Sequence, residues 1–482
     1  MIKFFLWTLS LALAVSIGYG LFFVWKVNSL GKKVMIVPRN DQNFINTLKS
    51  FVSSKPLNLK RSEGDRINIL LLGIAGKGKP GQNLTDTLMI ASVNARTNQV
   101  ALLSLPRDLL VKIPDESTQM KINSTYQYGL NRYKDDQEAV KLVKNIVTDI
   151  TSLEINYYAI LSFDGFEKAT DAIGGINIMN ERDIYDPRYP GPNYSYIAFT
   201  LPKGFQHLDG ATALKYARMR HNDPEGDFGR AKRQQQVLQA AKNKIFSTGT
   251  LLNVFAINDL FKALGENIKT DIKTEEFEDF IELGKKIDTN NINNVVVDAW
   301  NKESLLKVSH VFYGETRAFV LVPRIGNWNE IQELSQNIFD LNKIKRRREE
   351  IAKENASIVI INKSGDEKIG NRIKSLLKEN LNYKNVAILF DSIENSEEIS
   401  IIYDLTGSAK PFTLDELVAN LPAKASYEMK ASYIKTIENT QSDLVIIVGK
   451  DLKDKYNMEE GSVEEYRNSD DTNDYSEFRK NN

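Results

Sequence analysis

Residues 67–105 read INILLLGIAGKGKPGQNLTDTLMIASVNARTNQVALLSL, and their pattern sets the fold class. Ile67–Leu72 is an apolar run broken only by Asn68, as suits a buried strand. Beyond a glycine- and lysine-bearing loop, two more strands are expected at Thr87–Val93 and Val100–Leu105. Asn-Ala-Arg-Thr-Asn between them reads as a hairpin turn. Working outward, Asp136–Ile150 has helical spacing that puts Val140, Val143, Ile146, Val147 and Ile150 on one face. Tyr157–Phe163 is another strand, and the alternation continues from Leu251 to Pro323. Strands mixed with helices predict a layered α/β domain with a mixed sheet.

The densest chemistry lies further on, in HLDGATALKYARMRHNDPEGDFGRAKRQQQVL (residues 207–238). Arg218, Arg220, Arg230 and Arg233, with Lys215 and Lys232 beside them, are interleaved with small and apolar residues. Such arginines are held on a shaped surface, and their planar forks suit phosphate oxygens. Asp209 is expected to cap a short helix, GATALKYA. If the chain then extends, Arg218 and Arg220 point the same way. Asp227 is expected to cap the next helix, with Arg230 in its first turn. Arg230, Arg233 and Gln234 then share one face, next to a helix N-terminus suited to a pyrophosphate. His207 and His221 flank the block as polar residues, and no GxSxG accompanies them.

Composition narrows the rest. The chain has 482 residues, room for two or three domains, with 63 basic residues against 63 acidic. No global field draws it to nucleic acid, and no helix-turn-helix signal is present, so no nucleic-acid partner is expected. The absence of cysteine excludes disulfides, thiolate metal sites and a cysteine nucleophile. Phe4–Trp25 is uncharged and apolar, long enough to span a bilayer core of roughly 30 Å. Lys26, Lys32 and Lys33 outnumber Lys3, which by the positive-inside rule puts the downstream end in the cytoplasm. The expected organisation is an anchor (1–26), a stalk (27–65), a main α/β domain (66–325) and a helical linker (326–355). A smaller α/β domain (356–450) and a disordered tail (451–482) follow. The smaller domain is read from the strand SIVIIN, the turn KSGDEKIG, the helix NRIKSLLKENL and the strands NVAILF and DLVIIVG.

Six segments in order, with the N-terminal span ahead of them, resemble the LytR-CpsA-Psr family. They are ILLLG, LTDTLMIASVN, LLSLPRDLLVKIP, KINSTYQYG, FDGFEKATDAIGGI and the arginine block. The resemblance is strong over residues 67–250 and looser to about 325. The domain after Ala356 is similar to a C-terminal domain often appended in this family. The resemblance implies a membrane-anchored transferase that moves a glycopolymer from a polyprenyl-pyrophosphate carrier to peptidoglycan. It places the bulk of the chain outside the cytoplasm, contrary to the lysine count.

By the same resemblance, Arg107, Arg218 and Arg220 are ligands of the pyrophosphate. Asp227, Arg230 and Gln234 match a second cluster, and Lys121 lies where a basic residue lines the site; Arg233 is a candidate binding residue through the helix face it shares with Arg230 and Gln234. Asp86 matches a magnesium ligand, so Mg²⁺ is the expected cofactor. Asp86 and Asp108 are the candidate bases for the acceptor hydroxyl, and Asp108 is equally suited to fixing the Arg107 loop. The chain departs from the family after ILLLG. Ile74-Ala75 and Leu84 stand where many members carry an acidic residue and an arginine. Two readings of Gly73, Gly76, Gly78 and Gly81, with Lys77 and Lys79, stay open: backbone N–H groups and ammoniums that do part of that work, or a flexible surface loop. The alternative reading is a non-catalytic envelope protein that binds lipid-linked phosphates or cell-wall glycan.

Overall fold

The computed structural model describes residues 58–191, 195–220, 223, 225–245, 265, 267–287, 292–299, 304–313, 316–389, 396–421, 423–438, 440–452 and 459–460. The expected span at Phe4–Trp25, most of the expected stalk and nearly all of the expected tail lie outside them. Among the described residues no helix is long and apolar enough to cross a membrane. The chain divides into two compact units. One comprises Met1–Arg107, Ile113–Ile146 and Glu154–Val296; the other comprises Asp108–Lys112, Val147–Leu153 and Val297–Asn482.

The first unit is built on β1 (Arg66–Ile74), β2 (Thr85–Asn94) and β3 (Val100–Ser104), which pair antiparallel in sequence. The helices α1 (Thr125–Tyr133) and α2 (Asp136–Thr151, which belongs to this unit as far as Ile146) come next, and then β4 (Tyr157–Ser162), parallel to β1. All five residues of the expected apolar face of α2 are buried. Further along lie α3 (Phe163–Ala172) and four strands, β5 (Ile176–Asn180), β6 (Ile184–Pro190), β7 (Tyr196–Leu201) and β8 (Gly204–Leu208). These strands form two antiparallel ribbons, β5 with β8 and β6 with β7. The unit closes with α4 (Gly210–Arg218), α5 (Gly226–Ile245), β9 (Ile268–Thr270), α6 (Phe277–Lys286) and β10 (Ile292–Val296). The main sheet has the order β9-β4-β1-β2-β3-β10. It is a mixed sheet in a layered α/β unit.

One apolar cluster joins Ile67, Met89, Val93, Val100, Leu102 and Tyr157 of the sheet to Leu283 of α6, with Leu238 of α5 against it. Gln235 fastens α5 to the sheet. Its amide donates to the Val295 carbonyl at 2.9 Å, the Ser104 hydroxyl at 2.9 Å and the Leu102 carbonyl at 3.3 Å. The middle of α5 is thereby tied to the ends of β3 and β10. The register (Ile74 opposite both Thr85 and Ser162) gathers the ends of β1 and β4 beside the start of β2. Ligands of α/β sheets gather at such carboxyl ends.

The second unit contains the antiparallel hairpin β11 (Leu306–Tyr313) and β12 (Thr316–Pro323), and the helices α7 (Asn329–Gln336) and α8 (Leu341–Glu354). Lys343–Arg348 lies on α8, largely exposed, as its charge run implies. A five-stranded sheet follows, assembled from β13 (Ser357–Asn362), β14 (Asn385–Leu389), β15 (Ile401–Asp404), β16 (Lys424–Ser426) and β17 (Leu444–Val448) in the order β14-β13-β17-β15-β16. The helix expected to begin at Asn371 begins at Glu367, because Asp366 caps it by accepting from the Lys368 N–H at 3.0 Å. The strand at Ile401–Asp404 was not apparent from the sequence, being only four residues long.

Candidate functional site

Asp86 stands second in β2, where the sheet meets the glycine-bearing loop. Arg107 follows β3 and reaches back to it, its Nη1 lying 3.3 Å from Asp86 Oδ1. The Arg107 Nε donates to Asp227 Oδ2 at 3.0 Å, across 120 residues of chain. Arg230, one turn further along α5, closes on Asp227 Oδ1 at 2.9 Å. Carboxylates and guanidiniums thus alternate from β2 to α5. Burial alone would raise the Asp227 carboxyl, but the charges of Arg107, Arg230 and Arg220 overcome it and hold the group well below the ordinary carboxylate range. Asp86, Arg107, Arg220, Asp227 and Arg230 are therefore one cluster. Three guanidiniums against two carboxylates leave it an excess of positive charge, which suits an anion.

Asn123 joins this cluster although the sequence points instead to Lys121, two residues earlier. The Asn123 N–H donates to the Arg107 carbonyl at 3.2 Å, and its side-chain amide lies 3.4 Å from Asp86 Oδ1. Thr85 Oγ1 donates to the Asn123 carbonyl at 3.2 Å. The residue is buried and ties β2 to the Arg107 loop. Lys121 ends a short strand, Gln119–Lys121, just before the turn that carries Asn123. The NST triplet after Lys121 was the available signal.

The rest of the block departs from its expected geometry. Asp227 lies inside the first turn of α5, one residue past its start, and meets Arg107 instead of capping. Arg218 ends α4 and is helical, so the extended Arg218–Arg220 segment does not form as read. Arg233 is buried and directed at the α4–α5 connection. It donates through Nε to the Tyr216 carbonyl at 3.0 Å, through Nη2 to the Met219 carbonyl, and through Nη1 to Asp223. Its fork is spent on holding this segment. Burial raises the Asp223 carboxyl, but Arg233 outweighs that and the net shift is downward. Gln234 donates to the Ala217 carbonyl at 3.3 Å, another brace on α4. Asp209 does cap α4, accepting from the Thr212 N–H at 2.7 Å. Asp108 belongs to the second unit, where its carbonyl accepts from the Leu321 N–H at 2.9 Å.

Arg218 is held differently. Its guanidinium carbon lies 4.2 Å from the centre of the Phe163 ring and 5.7 Å from that of Tyr189, and Nη1 donates to the Tyr189 hydroxyl at 3.4 Å. Burial pushes the Tyr189 hydroxyl up, so it stays neutral. Nearby, Lys79 of the glycine-bearing loop pairs with Asp164. Within that loop the Gly76 N–H donates to the Gln82 carbonyl at 2.9 Å and the Gly78 N–H to the Gln82 side chain at 3.3 Å. Those two N–H groups are occupied internally, contrary to their expected use on phosphate.

Among the described residues no three metal-binding side chains cluster. The donor set fits magnesium through one oxygen. Asp86 Oδ1 accepts from Arg107 and Asn123, while Oδ2 accepts from no described residue, and the side chain is 34% exposed. Magnesium keeps waters and shares phosphate oxygens, so one carboxylate oxygen is a workable protein contribution.

The sequence matches the model of the LytR_cpsA_psr family over residues 36–319. Among curated relatives, a polyisoprenyl-teichoic acid–peptidoglycan teichoic acid transferase TagU of Enterococcus faecalis is 31% identical over 56% of this chain and 77% of its own length. The protein of the same name from Bacillus anthracis is 29% identical, covering 58% of this chain and 82% of its own. A crystal structure of Bacillus subtilis TagV aligns with 58% of this chain and 99% of that one at 24% identity. Its TM-score of 0.44 is too low to bear on the site.

Proposed function

Because the chain belongs to the LytR-CpsA-Psr family, we propose that it is a transferase that moves a glycopolymer from a polyprenyl-pyrophosphate carrier to peptidoglycan. The relatives' transferase names support the reaction class. The observation that carries the reading to this chain is the alternation of Asp86, Arg107, Asp227 and Arg230, with its surplus of guanidinium charge. Membrane anchorage through Phe4–Trp25, with the bulk of the chain outside the cytoplasm, belongs to the same proposal. The lipid carrier then lies in the membrane that holds the enzyme.

In the reaction, the acceptor hydroxyl oxygen attacks the phosphorus next to the polymer's first sugar. A new P–O bond forms, the bond to the bridging oxygen breaks, and the lipid phosphate leaves with the released electron pair. Positioning and charge neutralisation carry most of such a transfer. Arg107, Arg218, Arg220 and Arg230 supply the positive charge, with Arg107 and Arg230 oriented by Asp227 before any ligand arrives. Asp227 is unsuited to be a base, since its carboxylate is already engaged by guanidiniums. Asp86 Oδ2 is the better candidate to receive either a magnesium ion or the hydroxyl proton. Magnesium, when bound there, would neutralise phosphate charge.

The test is transfer of a labelled glycopolymer from a polyprenyl-pyrophosphate donor to purified peptidoglycan. Covalent label in the wall fraction is expected; tight donor binding without transfer would assign the chain to the non-catalytic reading. Asp86→Asn should lower transfer about tenfold or more, with partial recovery at high Mg²⁺. Calorimetry should find weak Mg²⁺ binding without donor and clear binding with it, and full activity in chelator would exclude the metal.

A further inference from the structure

Arg107 and Arg230 face the carboxylate of Asp227, and Arg220 adds its charge there; Arg233 faces Asp223. Arg218 differs from all of them. Its described partners, Phe163 and Tyr189, are both neutral. A ring face attracts a cation without cancelling its charge, and it leaves the in-plane N–H edges available. A carboxylate would instead compete with an incoming phosphate for those edges. The rings also restrict a long side chain that otherwise loses rotamer freedom on binding.

Both rings are fixed by their elements. Phe163 is the first residue of α3, whose start is set by the Ser162 hydroxyl accepting from the Gly165 N–H at 3.1 Å. Tyr189 is buried in the cluster that joins the two ribbons to α4, and its ring lies 5.7 Å from that of Phe199. Both rings thus sit on defined elements beside Arg218, Tyr189 buried and Phe163 half-buried.

We propose that Phe163 and Tyr189 are positioning residues that hold Arg218 as an uncompensated hook for the pyrophosphate of the donor. This rests on the function proposed above. The arginines then divide by role, since Arg218 captures the anion in the ground state and the Asp227-linked set acts where charge develops during transfer. Loss of the platform weakens donor binding more than turnover.

The experiment compares the full chain with Phe163→Leu, Phe163→Tyr and Tyr189→Phe, using geranylgeranyl pyrophosphate as the binding probe and labelled donor for kinetics. Phe163→Leu should bind the probe roughly three- to tenfold more weakly, matching the range of a partly desolvated cation–ring contact. KM for the donor should rise in step, kcat should stay within about twofold, and melting temperature should not explain the loss. Phe163→Tyr, which keeps the ring, should restore binding. Tyr189→Phe, which loses only the hydroxyl, should show a smaller loss. Unchanged binding in Phe163→Leu, equal losses in Phe163→Leu and Phe163→Tyr, or a fall confined to kcat would overturn the proposal. Failure of the wild-type chain to bind the probe would instead sink the function on which it rests.

Discussion

Arg218 and Arg233 lie fifteen residues apart in one basic block, yet the structure uses them oppositely. Arg233 satisfies two backbone carbonyls and Oδ2 of the buried Asp223 carboxylate, so removing it strands those three oxygens, although Asp223 Oδ1 keeps Arg182 and the Glu225 N–H. Arg233→Ala should destabilise the fold by about 3 kcal/mol or more in denaturant unfolding. Arg218→Ala should leave the unfolding midpoint nearly unchanged and weaken donor binding roughly ten- to a hundredfold, the range of charge-assisted hydrogen bonds. Equal stability losses in the two variants would refute this division. Asp227 has its own signature. Its folded pKa is depressed below the ordinary 3.8, so its stabilisation is present above that pH and is lost as pH falls toward the folded value. Asp227→Asn should cost about 3–5 kcal/mol at pH 7. The gap to wild type should hold steady down to about pH 5 and narrow only below about pH 4.

At the scale of elements, the site depends on how closely α4 lies against α3. Gly210 opens α4, and a methyl group added there would collide with the Glu167 carbonyl of α3. Gly210→Ala should therefore push the helices apart, costing roughly 1–3 kcal/mol by overpacking. Because α4 ends at Arg218 and α3 begins at Phe163, the same change should also weaken donor binding. Asp209→Ala removes only the cap, costs about 1 kcal/mol and should leave donor affinity intact. Thermal unfolding alongside calorimetry separates the two outcomes. Native stability in the Gly210→Ala variant would mean that the α3–α4 contact yields easily.

The whole molecule combines this α/β unit with a second unit whose own sheet is packed on both faces. The proposed anchorage makes a claim at this scale. An alkaline phosphatase reporter, which folds only after export, should be active when fused after Asn482. Activity of a cytoplasm-restricted reporter at the same point would reverse the orientation and support the lysine count around the span. The neutral overall charge fits a protein whose anion binding is local.

Sequence alone was enough for the strands Ile67–Leu72 and Val100–Leu105, the buried face of α2, the Asp209 cap and the family. Each rests on periodicity, capping chemistry or ordered motifs, which are local properties of the chain. It also located the arginine block, because four guanidiniums among small and apolar residues are unusual on a solvated surface. The separate roles within the block were not legible. Tertiary structure alone set Asp227 against an arginine 120 residues earlier, turned Arg233 onto backbone carbonyls, and laid Arg218 on a ring that opens a different helix. Asn123 emerged for the same reason, since its partners Asp86 and Arg107 lie on β2 and in the loop after β3. Helical and strand periods report which face of one element is buried. Which charge meets which depends on the register between elements, and the packed sheet and helices fix that register.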